Sequence, residues 1–357
     1  MSRIARKILR KLHLVSSIQP FREHCWRNDA WMINEYNLPE LTSVEVESFK
    51  QTWPCFPSVD KRDLTYLRMY KYMYGFNPFF LPDFQFYEYI IKKTNPSDMV
   101  KPFENKAMYD LYLSKLPIAP TLTRAINGIK YDGEMNEINE ASEIVILSRQ
   151  TQFIIKPSKE TGCGKGVQKV SIDAIEDKTS FLKKLLGKYG SDYLIQEVVE
   201  QNPTMSKLNP TSLNTCRVTT VYLNGKMSSS TILKVGKLNA DKDNWYTSYF
   251  IGVTQDGVVF DYGYDAKLKR VTATDNGSKF GGIQLPEFQK MVSLMEYFHQ
   301  LYFPMIGILG WDVVVDKDNN VRVIEVNVDN PGVAGEQFAS GPFFQSRRDD
   351  IVKLLRD

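Results

Sequence analysis

The chain is 357 residues long, 43% apolar and 24% charged, with a formal net charge of +3. That is the make-up of an ordinary globular protein large enough for two or three cooperating lobes, and the charge is too slight to argue for nucleic acid as a partner. The four cysteines form no CxxC pair and only His13, His24 and His299 occur, so a disulfide framework, a zinc site and a Ser-His-Asp system all lack material, which fits a reducing cytoplasm.

The first distinct element is Arg3 to Leu12, where Ile4, Ile8, Leu9 and Leu12 fall at helical spacing among Arg3, Arg6, Lys7, Arg10 and Lys11. Two readings fit: a solvated helix covering its own protein, the commoner case, or an interfacial helix over residues 3–15 lying on anionic lipid at the inner face of a membrane. No stretch approaches the roughly 20 apolar residues of a membrane span. Residues 1 to about 104 are rich in aromatics. Leu64, Leu67, Tyr70, Lys71 and Tyr74 step along one helical face before Pro78 and Pro82, so this region reads as helical with loops. Lys106–Lys115 reads as a helix closed by Pro117-Ile-Ala-Pro120, and Ile144–Leu147 is an apolar run of either type. Phe153–Ile155, a Gly-rich loop, Val167–Ile172, a helix over Ile175–Leu186 and a strand at Tyr193–Ile195 then make one α/β lobe. Beyond it come hairpins around Asn224-Gly225 and Asp256-Gly257, an amphipathic helix over Phe288–Tyr302, and a hairpin of Ile308–Val315 with Val321–Val326.

Two segments carry chemistry. In Phe153-Ile-Ile-Lys-Pro-Ser-Lys-Glu-Thr-Gly-Cys-Gly-Lys-Gly166 a strand delivers Lys156 to a turn containing Gly162, Gly164 and Gly166. Such glycines let backbone N–H groups approach a phosphate, and a lysine supplies a compact charge to it; taken alone, the segment reads equally well as a surface turn. It has neither P-loop nor dinucleotide-fingerprint spacing. In the second segment, Glu325 and Asn327 are two apart on one strand and share a face, and hairpin pairing brings Asp312 beside them. Two carboxylates and an amide oxygen suit Mg²⁺, which takes its remaining ligands from water and nucleotide phosphate. A solvated polar face is the alternative, disfavoured by the apolar flanks.

Lys156 beside its Gly-rich turn, the Tyr-Leu-Ile-Gln-Glu-Val-Val strand at 193–199 and the distal Asp312…Glu325-x-Asn327 set together resemble the ATP-grasp superfamily. Leu208–Thr220 and Gly310-Trp-Asp-Val313 bring the resemblance closest to the sugar-transfer-associated ATP-grasp family, related to α-L-glutamate ligases and found among surface-polysaccharide genes. The likeness covers roughly residues 100–345. It implies an α/β (α+β) fold of two lobes clasping ATP: a helical region at 1–104, then 105–357, with about 118–198 as a mobile lid and 199–357 as the metal and acceptor lobe. It implies that Lys106 and Lys156 hold phosphate under the Gly162–Gly166 loop, and that Gln196, Glu197, Val198 and Val199 meet the adenine, with Glu200 as candidate ribose acid. Asp312, Glu325 and Asn327 become ligands of one or two Mg²⁺ ions. Arg217, Lys234 and Lys156 neutralise the transferred phosphoryl, while Asn209, Asn214, Arg217, Asn244, Asn330 and Gly332 face the acceptor.

The chain departs from the glutamate-ligase pattern at Lys234, where an arginine is expected, and at Asp243-Asn244, which lacks the following glycine pair. Lysine cannot reproduce arginine's bidentate fork. The leading expectation is an ATP-dependent carboxylate–amine ligase acting through an acyl phosphate, joining an amino acid and a sugar or sugar acid. A small-molecule or sugar kinase on the same fold and a non-catalytic nucleotide-binding module of a polysaccharide assembly are the alternatives.

Overall fold

The computed structural model describes residues 35–159, 164–238, 240 and 247–356. The basic segment 3–15, Gly162 and Asn244 lie outside the described residues. Two compact units are present, residues 1–93 with 341–357 and residues 94–340. Among the described residues no helix is long and apolar enough to cross a membrane.

The first unit is helical. Helix α1 (Ser43–Thr52) starts at a capping box, in which Thr42 accepts from the Glu45 amide and Glu45 accepts from the Thr42 amide. Helix α2 (Lys61–Tyr74) repeats the device with Asp60 and Asp63 and ends at Gly75, whose φ of 81° suits glycine. The aromatics pack inward: the Tyr70 and Phe80 rings stack 4.3 Å apart, and Trp53 Nε1 donates to the Pro78 carbonyl at 2.9 Å.

The second unit holds two sheets whose strand ladders are antiparallel throughout, so the α+β description applies. The six-stranded sheet has the order β3-β2-β1-β6-β4-β5, built from β1 (Thr121–Ile126), β2 (Ile129–Asp132), β3 (Glu137–Ile138), β4 (Gln152–Pro157), β5 (Gln168–Ser171) and β6 (Tyr193–Gln196). Its first hairpin turns on Asn127-Gly128, both at positive φ, the chemistry a two-residue turn demands. Helices α3 (Glu140–Ser148) and α4 (Lys178–Tyr189) contribute Ile144, Leu147, Leu182, Leu185 and Leu186 to the same core as Phe153, Ile155 and Ile195.

The seven-stranded sheet has the order β11-β10-β9-β8-β7-β12-β13. It comprises β7 (Thr215–Leu223), β8 (Lys226–Gly236), β9 (Ser248–Val253), β10 (Val259–Asp265), β11 (Arg270–Val271), β12 (Ile308–Val315) and β13 (Val321–Asn327). Helix α5 (Phe288–Tyr302) buries Met291, Met295 and Phe298 in the core with Trp311 and Val313. His299 is wholly buried there: the Thr220 hydroxyl meets its Nδ1 at 2.7 Å and its Nε2 lies 2.8 Å from the Ile306 carbonyl. Burial pushes its pKa down to about 4, so the ring is neutral and structural. Helix α6 (Ala334–Ser340) packs on β8 and β9.

Lys106–Lys115 is less regular than its periodicity predicts. It is a 3₁₀ turn (Lys106–Met108) and one α-turn (Tyr109–Tyr112); the Lys106 N–H goes to the Ser158 carbonyl and the Asn105 side chain caps Ala107.

Candidate active site

The geometry starts from strand register. Asp312 on β12 lies directly opposite Arg217 on β7 and opposite Glu325 on β13, so the three charged residues form one row across adjacent strands. A β-bulge between Asp312 and Val313 leaves Ile324 without a partner, and beyond it Glu325 and Asn327 share a face two residues apart. In the next row Gly310 sits between Thr219 and Asn327. A Cβ at Gly310 would come 2.7 Å from the Pro331 carbonyl and 3.1 Å from Arg217 Nη1. The absent side chain is therefore what lets the guanidinium and the 331 backbone approach.

The side chains then close into a charge cluster. Arg217 grips Asp312 through Nε at 2.9 Å and Nη2 at 3.1 Å, and donates from Nη1 to the Pro331 carbonyl at 2.6 Å. Lys234 Nζ lies 2.8 Å from the same carboxylate, and Asn327 Nδ2 donates to it at 3.3 Å. Lys106 Nζ stands 2.8 Å from Glu325. Lys156 reaches the same ground from β4, where its charge feels both Lys106 and Glu325. Four cations thus meet two carboxylates from the hairpin, an excess of positive charge in a partly desolvated place.

The electrostatics follow. Burial, then repulsion from Lys106, push the Lys156 pKa down to about 8, and attraction to Glu325 opposes this. Burial alone would raise the Asp312 carboxyl, but Arg217 and Lys234 overcome it and hold the group well below the usual carboxylate range. Burial lowers and Asp312 raises the Arg217 value; the raising effects win, so the guanidinium stays charged.

Lys106 is fixed from behind. The fully buried Arg124 on β1 donates to the Ala107 carbonyl at 2.6 Å and grips Asp110 with both Nη atoms. The Lys106 N–H donates to the Ser158 carbonyl, two residues past Lys156. Tyr109 Oη donates to the Val326 carbonyl at 3.1 Å, joining this segment to the strand that carries Glu325 and Asn327. In the Gly-rich turn, Gly164 and Gly166 both have positive φ, and Gly166 lies so close to the Pro157 ring that a Cβ would approach to 2.8 Å.

The remaining candidates fall elsewhere. Gln196 is buried and donates to the Ala119 carbonyl at 2.9 Å; Glu197 is exposed, and its N–H is spent on the Pro120 carbonyl. Val198 and Val199 are half-buried, and the exposed Glu200 pairs with Lys317 at 3.0 Å. The amides of Asn209 and Asn214 are taken up by the fold: Asn209 Nδ2 donates to the Ser212 hydroxyl and to the Gly236 carbonyl at the end of β8, and Asn214 Nδ2 to the Met205 and Asn209 carbonyls. Asn330 is exposed and Gly332 half-buried with a φ of 62°, flanking the Pro331 carbonyl that Arg217 uses. Arg124, Tyr109 and the buried Glu336 carry no local sequence signal that marks them. Arg124–Asp110 is a pair between two elements, and Glu336 sits in an ordinary short helix.

A magnesium ion fits the donor set. Among the described residues no group of three or more His, Cys, Asp and Glu side chains could cage a metal. Two carboxylates with the Asn327 amide are the smaller set that Mg²⁺ accepts when phosphate and water complete its shell.

Lysines from the region of the smaller antiparallel sheet thus meet carboxylates on the larger one. The chain belongs to the sugar-transfer associated ATP-grasp family, whose model matches residues 85–353. A search of proteins with curated functions found no match. Among solved structures, the chain is similar to D-alanyl-alanine synthetase A from Vibrio cholerae, with 12% identity, 73% of this chain and 66% of that one covered, and a TM-score of 0.44. It is also similar to D-cycloserine synthetase DcsG (15%, 74% and 73%, 0.44) and to the ATP-grasp ligase PsnB complexed with minimal precursor (11%, 73% and 64%, 0.42). The chain spans just under two thirds of the length of the first and third of these.

Proposed function

We propose that the chain is an ATP-dependent carboxylate–amine ligase, ADP-forming, whose partners are an amino acid and a sugar or sugar acid in surface-polysaccharide synthesis. The observation that carries the reading is the cluster of Lys106, Lys156, Arg217 and Lys234 around Asp312 and Glu325. An excess of fixed cations beside two carboxylates and an amide suits a polyphosphate arriving with a divalent cation. In this reading Lys106 and Lys156 take phosphate oxygens beneath the turn at 164–166, and Lys106 lets go of Glu325 to do so. Asp312, Glu325 and Asn327 hold Mg²⁺, which when bound would neutralise charge on the phosphates. Residues 118–198 act as the closing lobe and 199–357 as the metal and acceptor lobe.

The reaction has two steps. A substrate carboxylate oxygen attacks the γ-phosphorus, the bond to the ADP oxygen breaks, and an acyl phosphate and ADP result. An amine then attacks the acyl carbon, losing a proton as phosphate leaves, to give an amide. The protein's part is positioning and charge neutralisation by Arg217, Lys234 and Lys156, with water excluded from the acyl phosphate. Asn330 and Gly332 flank the acceptor side, and Asn244 belongs to the same proposal.

Lys234 favours a second reading. A lysine in place of a forked arginine gives a point charge rather than a bidentate clamp, which phosphoryl transfer to a hydroxyl would tolerate. Screening ADP release over pairs of carboxylates and amines, with Asp312→Ala as the blank, tests the ligase. Release that needs both members of a pair supports it, and release with a hydroxyl substrate alone would replace it by the kinase.

A further inference from the structure

Glu336 on α6 is a buried carboxylate that none of the chemistry above uses. The Thr219 hydroxyl donates to it. Thr219 and Arg217 are two apart on β7, so both point from the same face of the strand. Gly310, paired with Thr219, leaves that face open beside Arg217. Three residues before α6, the Pro331 carbonyl accepts from Arg217 Nη1. The guanidinium is therefore tied to the backbone leading into α6, and the charge of Glu336 on that helix acts on it.

As the structure stands, Arg217 is answered by Asp312. Yet both Asp312 oxygens are occupied, Oδ1 by Arg217 Nε and Lys234, Oδ2 by Arg217 Nη2 and Asn327. A divalent cation that takes Asp312 must displace some of these contacts. Lys234 can turn to phosphate. Arg217 is held in place and would be left as a half-buried cation without its partner, which is unfavourable. Arg217 feels the charge of three carboxylates, Asp312, Glu336 and Glu325, and only Glu336 is not a candidate metal ligand.

We propose that Glu336 is a positioning residue for Arg217: oriented by Thr219, it keeps the guanidinium compensated and in place while Asp312 turns to the metal. The inference rests on the nucleotide and metal reading above. It predicts that Glu336 tunes metal loading without touching metal or nucleotide.

The test is Glu336→Gln, which keeps the shape and an acceptor for Thr219 but removes the charge. Wild type and variant are titrated with Mn²⁺ in the presence of a non-hydrolysable ATP analogue, with free Mn²⁺ read by electron paramagnetic resonance. Mn²⁺ affinity is expected to fall about ten-fold in the variant, since losing the counter-charge makes Arg217 hold Asp312 harder. A purely structural role would lower the melting temperature and leave the Mn²⁺ affinity of the folded protein alone. Thr219→Val, which removes only the orienting hydroxyl, should shift affinity in the same direction by less, and it carries the test should Glu336→Gln not fold. Wild-type Mn²⁺ affinity in a folded variant would overturn the assignment. Failure of the wild type to bind either analogue or Mn²⁺ would overturn the nucleotide reading, and this inference with it.

Discussion

Lys156 is held at a cost, and the cost can be measured. Its pKa falls from the ordinary 10.5 to about 8, chiefly through burial and then through repulsion from Lys106. A lysine whose value is lower in the folded than in the unfolded chain destabilises the fold while it is charged. The cost is complete below the folded value, shrinks as pH rises from about 8 towards 10.5, and then vanishes. At about 1.4 kcal/mol per pH unit, the shift amounts to about 3 kcal/mol. Lys156→Met removes the charge and keeps most of the stem. The variant should unfold at higher urea concentration than the wild type at about pH 7, by up to about 3 kcal/mol, and the gain should shrink to about 1 kcal/mol near pH 9.5. The same variant should lose affinity for an ATP analogue, because in the proposed reading the desolvated ammonium that burdens the fold is the one that meets phosphate. A variant no more stable than wild type at neutral pH, or a gain that does not fade with rising pH, would refute the electrostatic account of this residue.

Three further outcomes are expected. Asp312→Asn leaves Arg217 and Lys234 uncompensated in a buried place, so it should lower unfolding free energy by about 3–5 kcal/mol and abolish ATP-dependent activity. Since the folded value of Asp312 lies below the ordinary one, the deficit should be full above about pH 4 and shrink only as pH falls further, which urea titrations of both proteins would show. Gly310→Ala places a Cβ 2.7 Å from the Pro331 carbonyl, and should cost about 1–3 kcal/mol in denaturant and reduce ADP release by displacing Arg217. His299 is buried neutral with its pKa near about 4, so the wild type should lose up to about 3 kcal/mol between pH 6.5 and 4 from this group. His299→Phe should flatten that part of the stability profile, measured by thermal unfolding against pH.

Much of the candidate site's geometry could be read from the chain because strands and turns announce it. The Asp312 to Asn327 hairpin carries its own alternation and turn, and α5 begins and ends at Phe288 and Tyr302 as its apolar spacing predicts. Other parts were legible in principle but depend on signals weaker than periodicity. Ile144–Leu147 proves helical because Asn139 caps the segment and Glu140 and Glu143 sit in its first turn, and Asn127-Gly128 marks a hairpin between two short strands. What periodicity cannot supply is pairing between distant elements. Arg124 meets Asp110 across two elements, Lys106 reaches Glu325 on a strand more than two hundred residues away in the chain, and Glu336 meets Thr219 from another element. The same limit explains Asn209 and Asn214, whose amides are taken by the Gly236 carbonyl of β8 and by the Met205 carbonyl.

If this cluster uses ATP to activate a carboxylate, as proposed, oxygen from that carboxylate must appear in the released phosphate. With a carboxylate substrate labelled with oxygen-18, and Asp312→Ala as the blank, the phosphate released by the wild type is analysed by mass spectrometry. An acyl phosphate intermediate delivers one labelled oxygen from the carboxylate to phosphate for each amide formed. Unlabelled phosphate alongside product, or a stable phosphorylated hydroxyl with the label retained in the carboxylate, would contradict the account.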